Sequence, residues 1–122
     1  MILAIVVGLC GGVGAVVRYL VDGAVHHRIP RTFPYGTLLI NVGGSFILGL
    51  ATGLLWYHGL PAKARLVVGV GFCGGLTTWS SAVWESVRLA EDRRWPEAAV
   101  YTFGGLAAAL AAATTGIALT AL

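Results

Sequence analysis

Charged residues are scarce in this sequence. Asp, Glu, Lys and Arg make up only 11% of its 122 residues, whereas a soluble domain of ordinary composition carries about 25%. The chain is 57% hydrophobic and its mean hydropathy is +0.84. The shortage of charge excludes an ordinary soluble domain, and we predict an integral membrane protein. The net charge of +3 is too small and too dispersed to indicate a nucleic-acid-binding protein.

Reactive and metal-binding side chains are also few. Cys10 and Cys73 are the only cysteines, and both lie within apolar segments. Two such residues cannot form a disulfide framework, so we expect buried free thiols. The sequence contains no recognisable nucleophile–base pair and no cluster of metal ligands. We therefore do not expect an enzyme.

Long apolar runs account for most of the chain. A membrane-spanning helix needs roughly 20 predominantly apolar residues, so four spans leave no room for a soluble domain. We predict one all-α transmembrane domain over residues 1–122, with the segment Asp22–Pro34 as a polar loop. The first run lacks a basic N-terminal region, which predicts a retained helix and not a signal peptide. The four predicted spans are approximately Ile2–Gly23, Tyr35–Tyr57, Leu66–Arg88 and Ala98–Leu122.

Basic residues are distributed unevenly between the two sides of the predicted membrane protein. Five arginines lie in the connections after the first and third spans, whereas the opposite side carries only Lys63 and Arg65. By the positive-inside rule, the first and third connections should face the cytoplasm. The five arginines are Arg28, Arg31, Arg88, Arg93 and Arg94.

Small residues recur at a spacing that favours close helix contacts in lipid. Three GxxxG pairs occur, and this spacing lets two helix backbones approach each other. Most of these glycines can be explained by packing within one chain, but four thin spans can hardly enclose a hydrophilic path alone. We therefore expect an oligomer. The three pairs are Gly8 with Gly12, Gly49 with Gly53, and Gly71 with Gly75.

Three polar side chains in the first, second and fourth spans are candidates for function. Asn41 shares a helix face with Ser45, and either joins two helices or donates to an ion in transit. Arg18 lies near the end of the first span, where it either extends to the membrane interface or attracts anions to a vestibule. Tyr101 is the phenol expected to hydrogen bond inwards from the fourth span.

The third span contains the stretch GFCGGLTTWSSAVWE, from Gly71 to Glu85. The pair Gly74-Gly75 offers little resistance to unwinding, and the hydroxyl groups that follow can bond freed backbone groups. Unwound carbonyl oxygens suit a hard cation, although a kinked helix without an ion explains the pattern as well. Glu85 is the one acidic residue deep in a span, which makes it a functional candidate unless it faces water.

Three segments resemble the Fluc/CrcB family of fluoride channels: GGVGAVVRY, PYGTLLINVGGSFILG and GFCGGLTTWSSAVWE. Their order and spacing match the family across all four spans. The resemblance implies an antiparallel, dual-topology dimer in the cell membrane, with two pores that release fluoride passively from the cytoplasm. It also implies a structural sodium ion at the dimer centre, which is not transported. Main-chain oxygens of Gly74 and Thr77 would hold it.

The resemblance also assigns the remaining site residues. It implies supporting or vestibule roles for Arg18 and Glu85. Pore or anion-path positions are implied for Asn41, Trp79, Ser80, Ser81 and Tyr101.

Four positions depart from, or alter, the family pattern. The family has phenylalanines at the positions of Trp79 and Ala82, and its fourth-span pore serines align with Gly105 and Ala109. Part of the polar path is therefore missing from this chain. We predict that the chain works best with a related subunit in the opposite orientation. The alternative is a homodimer in which the larger Trp79 takes the place of the aromatic side chain that is missing at Ala82.

Two other functions remain open from the sequence. A small four-helix multidrug transporter would exchange protons for cationic drugs through a carboxylate in its first span. Here no carboxylate occurs before Asp22, at the end of that span. The other possibility is a non-conducting partner subunit of a heterodimeric fluoride channel. Membrane lipids surround the chain in every case.

Overall fold

Four helical spans make up nearly the whole molecule. The computed structural model describes all 122 residues. By length and composition, each of its four long helical regions is sufficient to cross a membrane, so the prediction of an all-helical, multi-pass membrane protein is confirmed. The regions are helix α1 (Ile2–Arg28), helix α2 (Tyr35–His58), the third span (Ala62–Glu91) and the fourth span (Trp95–Thr120).

Residues with special backbone properties separate these spans. Pro30 lacks a backbone N–H, and the residue before it, Ile29, has extended backbone at φ −123° and ψ 131°. Gly59 ends α2 in the left-handed conformation at φ 68°, which glycine adopts without steric cost. Arg93 has φ 59° in the connection before the fourth span. Each connection is therefore short and sharply turned.

The predicted boundaries of the first, third and fourth spans were wrong by several residues. The third span runs from Ala62 to Glu91, where Leu66–Arg88 was predicted. Helix α1 runs to Arg28 and not to Gly23, and an i, i+4 contact between Asp22 and His26 lies in its last turns. The fourth span starts at Trp95 and not at Ala98. Pro96 lies in its first turn, where the missing N–H costs nothing and the fixed φ favours a helix.

The third span consists of several segments. It begins with α3 (Ala62–Arg65), continues as a π-helical segment (Leu66–Cys73) and then as α4 (Gly74–Leu76). Thr77 has φ −75° and ψ 158°, Thr78 has φ −147° and ψ 119°, and α5 (Trp79–Glu91) follows. Two residues with extended backbone therefore separate α4 from α5.

The glycine pair of the third span does not unwind, contrary to the prediction. Gly74 has helical dihedral angles of φ −64° and ψ −37°, and Gly75 is helical too. A Cβ atom on Gly75 would collide with the backbone carbonyl of Gly11. Gly75 thus permits α1 to approach α4 backbone to backbone, which is the usual role of small residues between membrane helices.

The fourth span also contains a π-helical segment. Helix α6 (Trp95–Ala99) leads into the π-helical segment Val100–Gly104, and α7 (Gly105–Thr120) completes the span. Helix α7 packs along α2, where a Cβ atom on Gly49 would collide with the carbonyl of Ala113. The predicted pair Gly49 and Gly53 therefore packs within the chain. Gly8 and Gly12 have no such neighbour and face outwards.

The two ends of the molecule differ in charge. The connections Ile29–Pro34 and Asp92–Arg94 share one end, where the Arg94 guanidinium donates to the Thr32 carbonyl. The opposite end has the connection Gly59–Pro61, and there His58 Nε2 lies 2.7 Å from the Thr120 carbonyl oxygen. All five carboxylate side chains lie towards the first end: Asp22, Glu85, Glu91, Asp92 and Glu97.

Candidate functional site

Asn41 lies beside the interruption in the third span and bonds to both backbone groups of one residue. Its Nδ2 donates to the Thr78 carbonyl at 3.0 Å, and its Oδ1 accepts from the Thr78 N–H at 2.8 Å. The extended backbone of Thr78 lacks helical partners for these groups, and an unpaired backbone group at membrane depth is costly. The Asn41 amide supplies both partners, so α2 holds the extended segment in place.

Thr78 also caps the helix that follows it. Its Oγ1 accepts a hydrogen bond from the Ser81 N–H at 3.2 Å, which satisfies one of the free N–H groups at the start of α5. Its hydroxyl donates to Ser81 Oγ at 3.1 Å. The polar residues at the start of α5 are therefore organised around Thr78.

Arg18 points into the bundle. Its Nη1 donates to the Thr77 carbonyl at 3.2 Å, so the side chain does not extend only towards the membrane interface. The Thr77 hydroxyl donates to the Cys73 carbonyl at 2.8 Å, one helical turn back. The guanidinium places a positive charge next to the extended segment, where it would attract an anion.

Gly74 and Thr77 were predicted to hold a cation through main-chain oxygens. Both residues line one cavity, and no group of His, Cys, Asp or Glu side chains is placed to bind a metal ion. Carbonyl oxygens are the right donor type for a hard cation. However, the Thr77 oxygen already accepts from Arg18, and two oxygens from one chain form an incomplete ligand set.

A groove of about 480 Å³ runs beside the Asn41–Thr78 contact. Of the predicted pore residues, Asn41, Trp79 and Tyr101 line this groove, whereas Ser80 and Ser81 do not. Most of its wall is apolar or glycine. Its remaining polar lining residues are Ser45, Thr77, Thr78, Ser86 and Thr102.

A second cavity, of about 690 Å³, opens towards the end that carries most of the charge. It brings together the other predicted residues, Arg18, Ser80, Ser81 and Glu85, and Thr78 lines both cavities. The structure thus sorts the predicted site residues into two compartments with Thr78 between them. Charged and titratable groups that the sequence did not place here also line the second cavity: Asp22, His26 and Arg31.

Glu85 is paired within its own helix. Its Oε2 lies 2.7 Å from Arg88 Nη2, and its side chain is 18% exposed. This contact is an ion pair without a further hydrogen bond to Oε2. The Arg88 guanidinium also lies 5.4 Å from the Trp84 ring centroid. Sequence reasoning assigned Arg88 to the connection and missed this pair, although the i, i+3 spacing was a usable signal.

Tyr101 faces inwards and is 4% exposed. Its ring meets Phe33 edge-on, with the centroids 5.6 Å apart. Trp79 is the opposite case, since 79% of it is exposed on the single chain.

Two groove residues were not predicted from the sequence, Ser86 and Thr102. Thr102 Oγ1 donates to Ser86 Oγ at 2.8 Å and so joins the third and fourth spans. No local pattern in the sequence indicates this contact.

Comparison with known proteins assigns the chain to a family. Residues 5–117 match the family described as CrcB-like protein, Camphor Resistance (CrcB). The fluoride-specific ion channel FluC 1 of Leifsonia xyli subsp. xyli is 46% identical over 116 residues, covering 95% of this chain and 85% of the relative. FluC 2 of Mycobacterium tuberculosis (strain H37Rv) is 44% identical over 108 residues, covering 88% and 82%.

A third relative covers nearly the whole of both chains. The fluoride-specific ion channel FluC of Geobacter metallireducens is 38% identical over 118 residues, which is 96% of this chain and 95% of the relative. The resemblance read from the three sequence segments is therefore confirmed. This four-span chain, with its amide-held interruption in the third span, belongs to the CrcB family.

Proposed function

We propose that this protein is a fluoride-specific channel that releases fluoride passively from the cytoplasm across the cell membrane. The observation that carries the proposal is the Asn41 amide at the extended segment of the third span, facing a groove in the hydrocarbon region. Relatives of high identity that bear the name fluoride-specific ion channel support it.

The donors on this path suit a small, strongly hydrated anion. Fluoride loses water on entering a narrow pore, so hydrogen-bond donors must replace it. Asn41 Nδ2 carries two hydrogens and uses one on Thr78, which leaves one for an anion. Tyr101 lines the same groove, and Arg18, Ser80 and Ser81 line the adjoining cavity. Together they form a donor-rich route that a cation would avoid.

The proposed assembly is an antiparallel dimer with two pores. Support comes from the groove, which one chain leaves open, and from the exposed Trp79 beside it. A second subunit would close the groove, and its Trp79 would offer a ring edge with partial positive charge to an anion. The partner is this same chain or a related one, and the interrupted third spans would meet at the centre of the dimer.

A structural sodium ion is proposed at that centre. Gly74 and Thr77 of two subunits would together offer four main-chain oxygens, which corrects the incomplete set of one chain. The ion would supply a fixed positive charge between the two pores. Arg18 holds the Thr77 carbonyl in position, and the chain has no side-chain cluster that could bind a metal instead.

Flux measurements in liposomes test the main proposal. Purified protein in liposomes loaded with potassium fluoride should release fluoride once a potassium ionophore lets compensating charge move. Protein-free liposomes are the control, and chloride-loaded liposomes with protein should release almost nothing. Equal rates for the two anions would refute fluoride specificity.

Sodium removal tests the proposed ion. Prolonged dialysis against sodium-free buffer should reduce fluoride release, and sodium should restore it, because the cation stabilises the dimer centre. Thr77→Ser should behave as the unaltered protein, since only its main-chain oxygen is a ligand. Activity that is indifferent to sodium removal would disprove the site.

The multidrug-transporter alternative has less support. Such a mechanism needs a carboxylate in the first span, and the only one there, Asp22, lies towards the end of α1 with its Oδ1 3.2 Å from His26 Nε2. The non-conducting partner subunit is supported by the missing side chains at Ala82, Gly105 and Ala109, all of which line the groove. Flux from this chain alone decides between a channel and such a subunit.

A further inference from the structure

We propose that Thr102, held by Ser86, is an additional anion-binding residue in the groove, on the side of the Asn41–Thr78 contact that leads to the α5–α6 connection. This inference rests on the proposed function, because the anion it would bind is the fluoride that the channel conducts. Neither residue is a predicted pore residue.

The two hydroxyl groups join opposite walls of the groove. Helix α5 contributes Ala82 and Ser86 at i, i+4 spacing, and the fourth span contributes Thr102 and Gly105 at i, i+3 spacing, so each pair lies on one face. Thr102 Oγ1 donates to Ser86 Oγ at 2.8 Å, and Ser86 Oγ donates to the Ala82 carbonyl at 2.8 Å. Ala82 and Gly105 have no side-chain hydroxyl, so Thr102 and Ser86 supply the hydroxyl groups in this part of the groove.

Ser86 and Thr102 lie along the path that an anion would follow through the groove. Ser86 lies eight residues beyond Thr78 along the chain, mostly within α5, which corresponds to about 12 Å at the helical rise of 1.5 Å per residue. Thr102 enters the groove from the fourth span at the same level. The Thr102 hydroxyl therefore adds a donor to the Asn41 and Tyr101 groups that line the same groove.

The hydroxyl hydrogen of Thr102 is not bonded to the backbone of its own helix. Thr52, Thr114 and Thr115 each donate to a carbonyl of the preceding turn of their own helix. Thr102 instead donates to a side-chain hydroxyl on another span. Rotation about its Cβ–Oγ1 bond can redirect the hydrogen to an anion, and a hydrogen bond to an ion is stronger than one between neutral groups.

Ser86 has a different part in this arrangement. Its own hydrogen is directed at the Ala82 carbonyl, so Ser86 presents a lone pair to Thr102 and holds that hydroxyl in the groove. Ser86 is therefore a positioning residue, and Thr102 is the donor. The backbone supports this placement, because Thr102 lies in the π-helical segment Val100–Gly104, and π-helical turns in helices are frequent at functional sites.

Matched threonine variants test the proposal. Thr102→Val removes the hydroxyl at nearly constant volume, and Thr102→Ser keeps it. Thr115→Val is the control, because Thr115 lies on α7 and does not line the groove. Fluoride release from liposomes is measured over a range of internal fluoride concentrations, with dimer assembly followed by size-exclusion chromatography.

The expected result is a shift in fluoride dependence for one variant alone. Thr102→Val should raise the concentration for half-maximal release about tenfold, as the loss of a hydrogen bond to a charged group implies. Thr102→Ser and Thr115→Val should match the unaltered protein. Ser86→Ala should give a smaller shift in the same direction, and it replaces Thr102→Val as the test if that variant fails to assemble.

Three outcomes would overturn the assignment. The first is an assembled Thr102→Val protein with unaltered fluoride dependence. The second is a Thr102→Ser protein that is as impaired as Thr102→Val. The third applies if Thr102→Val fails to assemble, and it is a Ser86→Ala protein with unaltered fluoride dependence. Absence of fluoride release from the unaltered protein would instead overturn the proposed function itself, and the anion site with it. The unaltered protein in the same assay thus separates failure of the channel proposal from failure of this one.

Discussion

At the scale of single residues, the structure gives Asn41 two tasks. Its amide holds the extended Thr78 backbone through two hydrogen bonds, and one N–H remains for an anion in the proposed pore. From the sequence, Asn41 was either a helix-joining residue or a pore donor. The contacts show that it joins α2 to the third span through backbone groups, and this does not compete with the proposed second task.

Substitution of Asn41 should separate the two tasks. Asn41→Asp keeps an acceptor for the Thr78 N–H but places a negative charge on the anion path. Repulsion of an anion about 4 Å away amounts to about 4 kcal/mol at an effective dielectric constant near 20, so fluoride release should stop. Asn41→Ala removes both bonds without adding charge and should reduce thermal stability as well as flux. Retained transport in Asn41→Asp would leave only the joining role.

The Glu85–Arg88 pair gives a second prediction at this scale. Arg88→Gln leaves the partly buried Glu85 carboxylate unpaired, which should destabilise the protein by roughly 1 kcal/mol after allowance for solvent screening. The double variant with Glu85→Gln should recover that loss, because neither charge remains. Thermal unfolding in detergent measures both effects. A double variant no more stable than Arg88→Gln would show that the pair is not coupled.

At the scale of elements, the sequence predicted the existence of all four spans but misplaced the detail of the third. The runs of apolar residues are long enough to determine spans without tertiary information. Whether Gly74-Gly75 unwinds depends on what lies opposite, and the sequence does not state that Gly11 packs against Gly75. The extended residues are Thr77 and Thr78, where Asn41 and Arg18 supply partners from other spans.

Neighbouring glycines provide a matched test of this packing. Gly75→Ala should destabilise the protein by about 1–3 kcal/mol, the usual cost of overpacking, since its Cβ would meet the Gly11 backbone. Gly12→Ala, beside Gly11, should be tolerated, because no atom lies within 4 Å of its added Cβ. Unfolding temperatures of the two variants in detergent are compared. Equal losses would contradict the proposed contact between α1 and α4.

The hydroxyl bridge between Ser86 and Thr102 illustrates a further limit of the sequence. Taken alone, Ser86 and Thr102 are each an ordinary small polar residue in an apolar span. Their relation depends on which faces of α5 and the fourth span meet, and that is decided by packing around the connection Asp92–Arg94. Contacts between spans of this kind carry most of the site, which is why its compartments could not be predicted.

At the scale of the whole molecule, a single chain leaves much of its apolar surface uncovered. Only 19 of 122 residues are buried, and the groove beside Asn41 is open on one side. Lipid covers an apolar face without cost, but it does not satisfy the polar groups of a groove. The open groove is therefore the strongest support for a second subunit.

Orientation in the membrane tests the nature of that subunit. Single cysteines are introduced between Arg88 and Glu97 in a protein whose Cys10 and Cys73 are replaced by alanine. The five-to-two excess of basic residues predicts labelling from the cytoplasmic side alone, with higher flux when a related subunit is co-expressed. Equal labelling from both sides, together with robust flux from this chain alone, would show that it forms a homodimer.

The placement of all five carboxylates at one end of the chain has an electrical consequence. In an antiparallel pair of identical chains, each membrane face presents one end with all five carboxylates and most of the arginines and one end with Lys63 and Arg65, so the two faces carry the same charge. The energy profile for an ion is then symmetric about the midplane, and the current–voltage relation should be free of rectification in symmetric solutions. Two different subunits lack this symmetry, and their current should be larger in one direction. The shape of the current–voltage curve thus reports the composition of the dimer without any label.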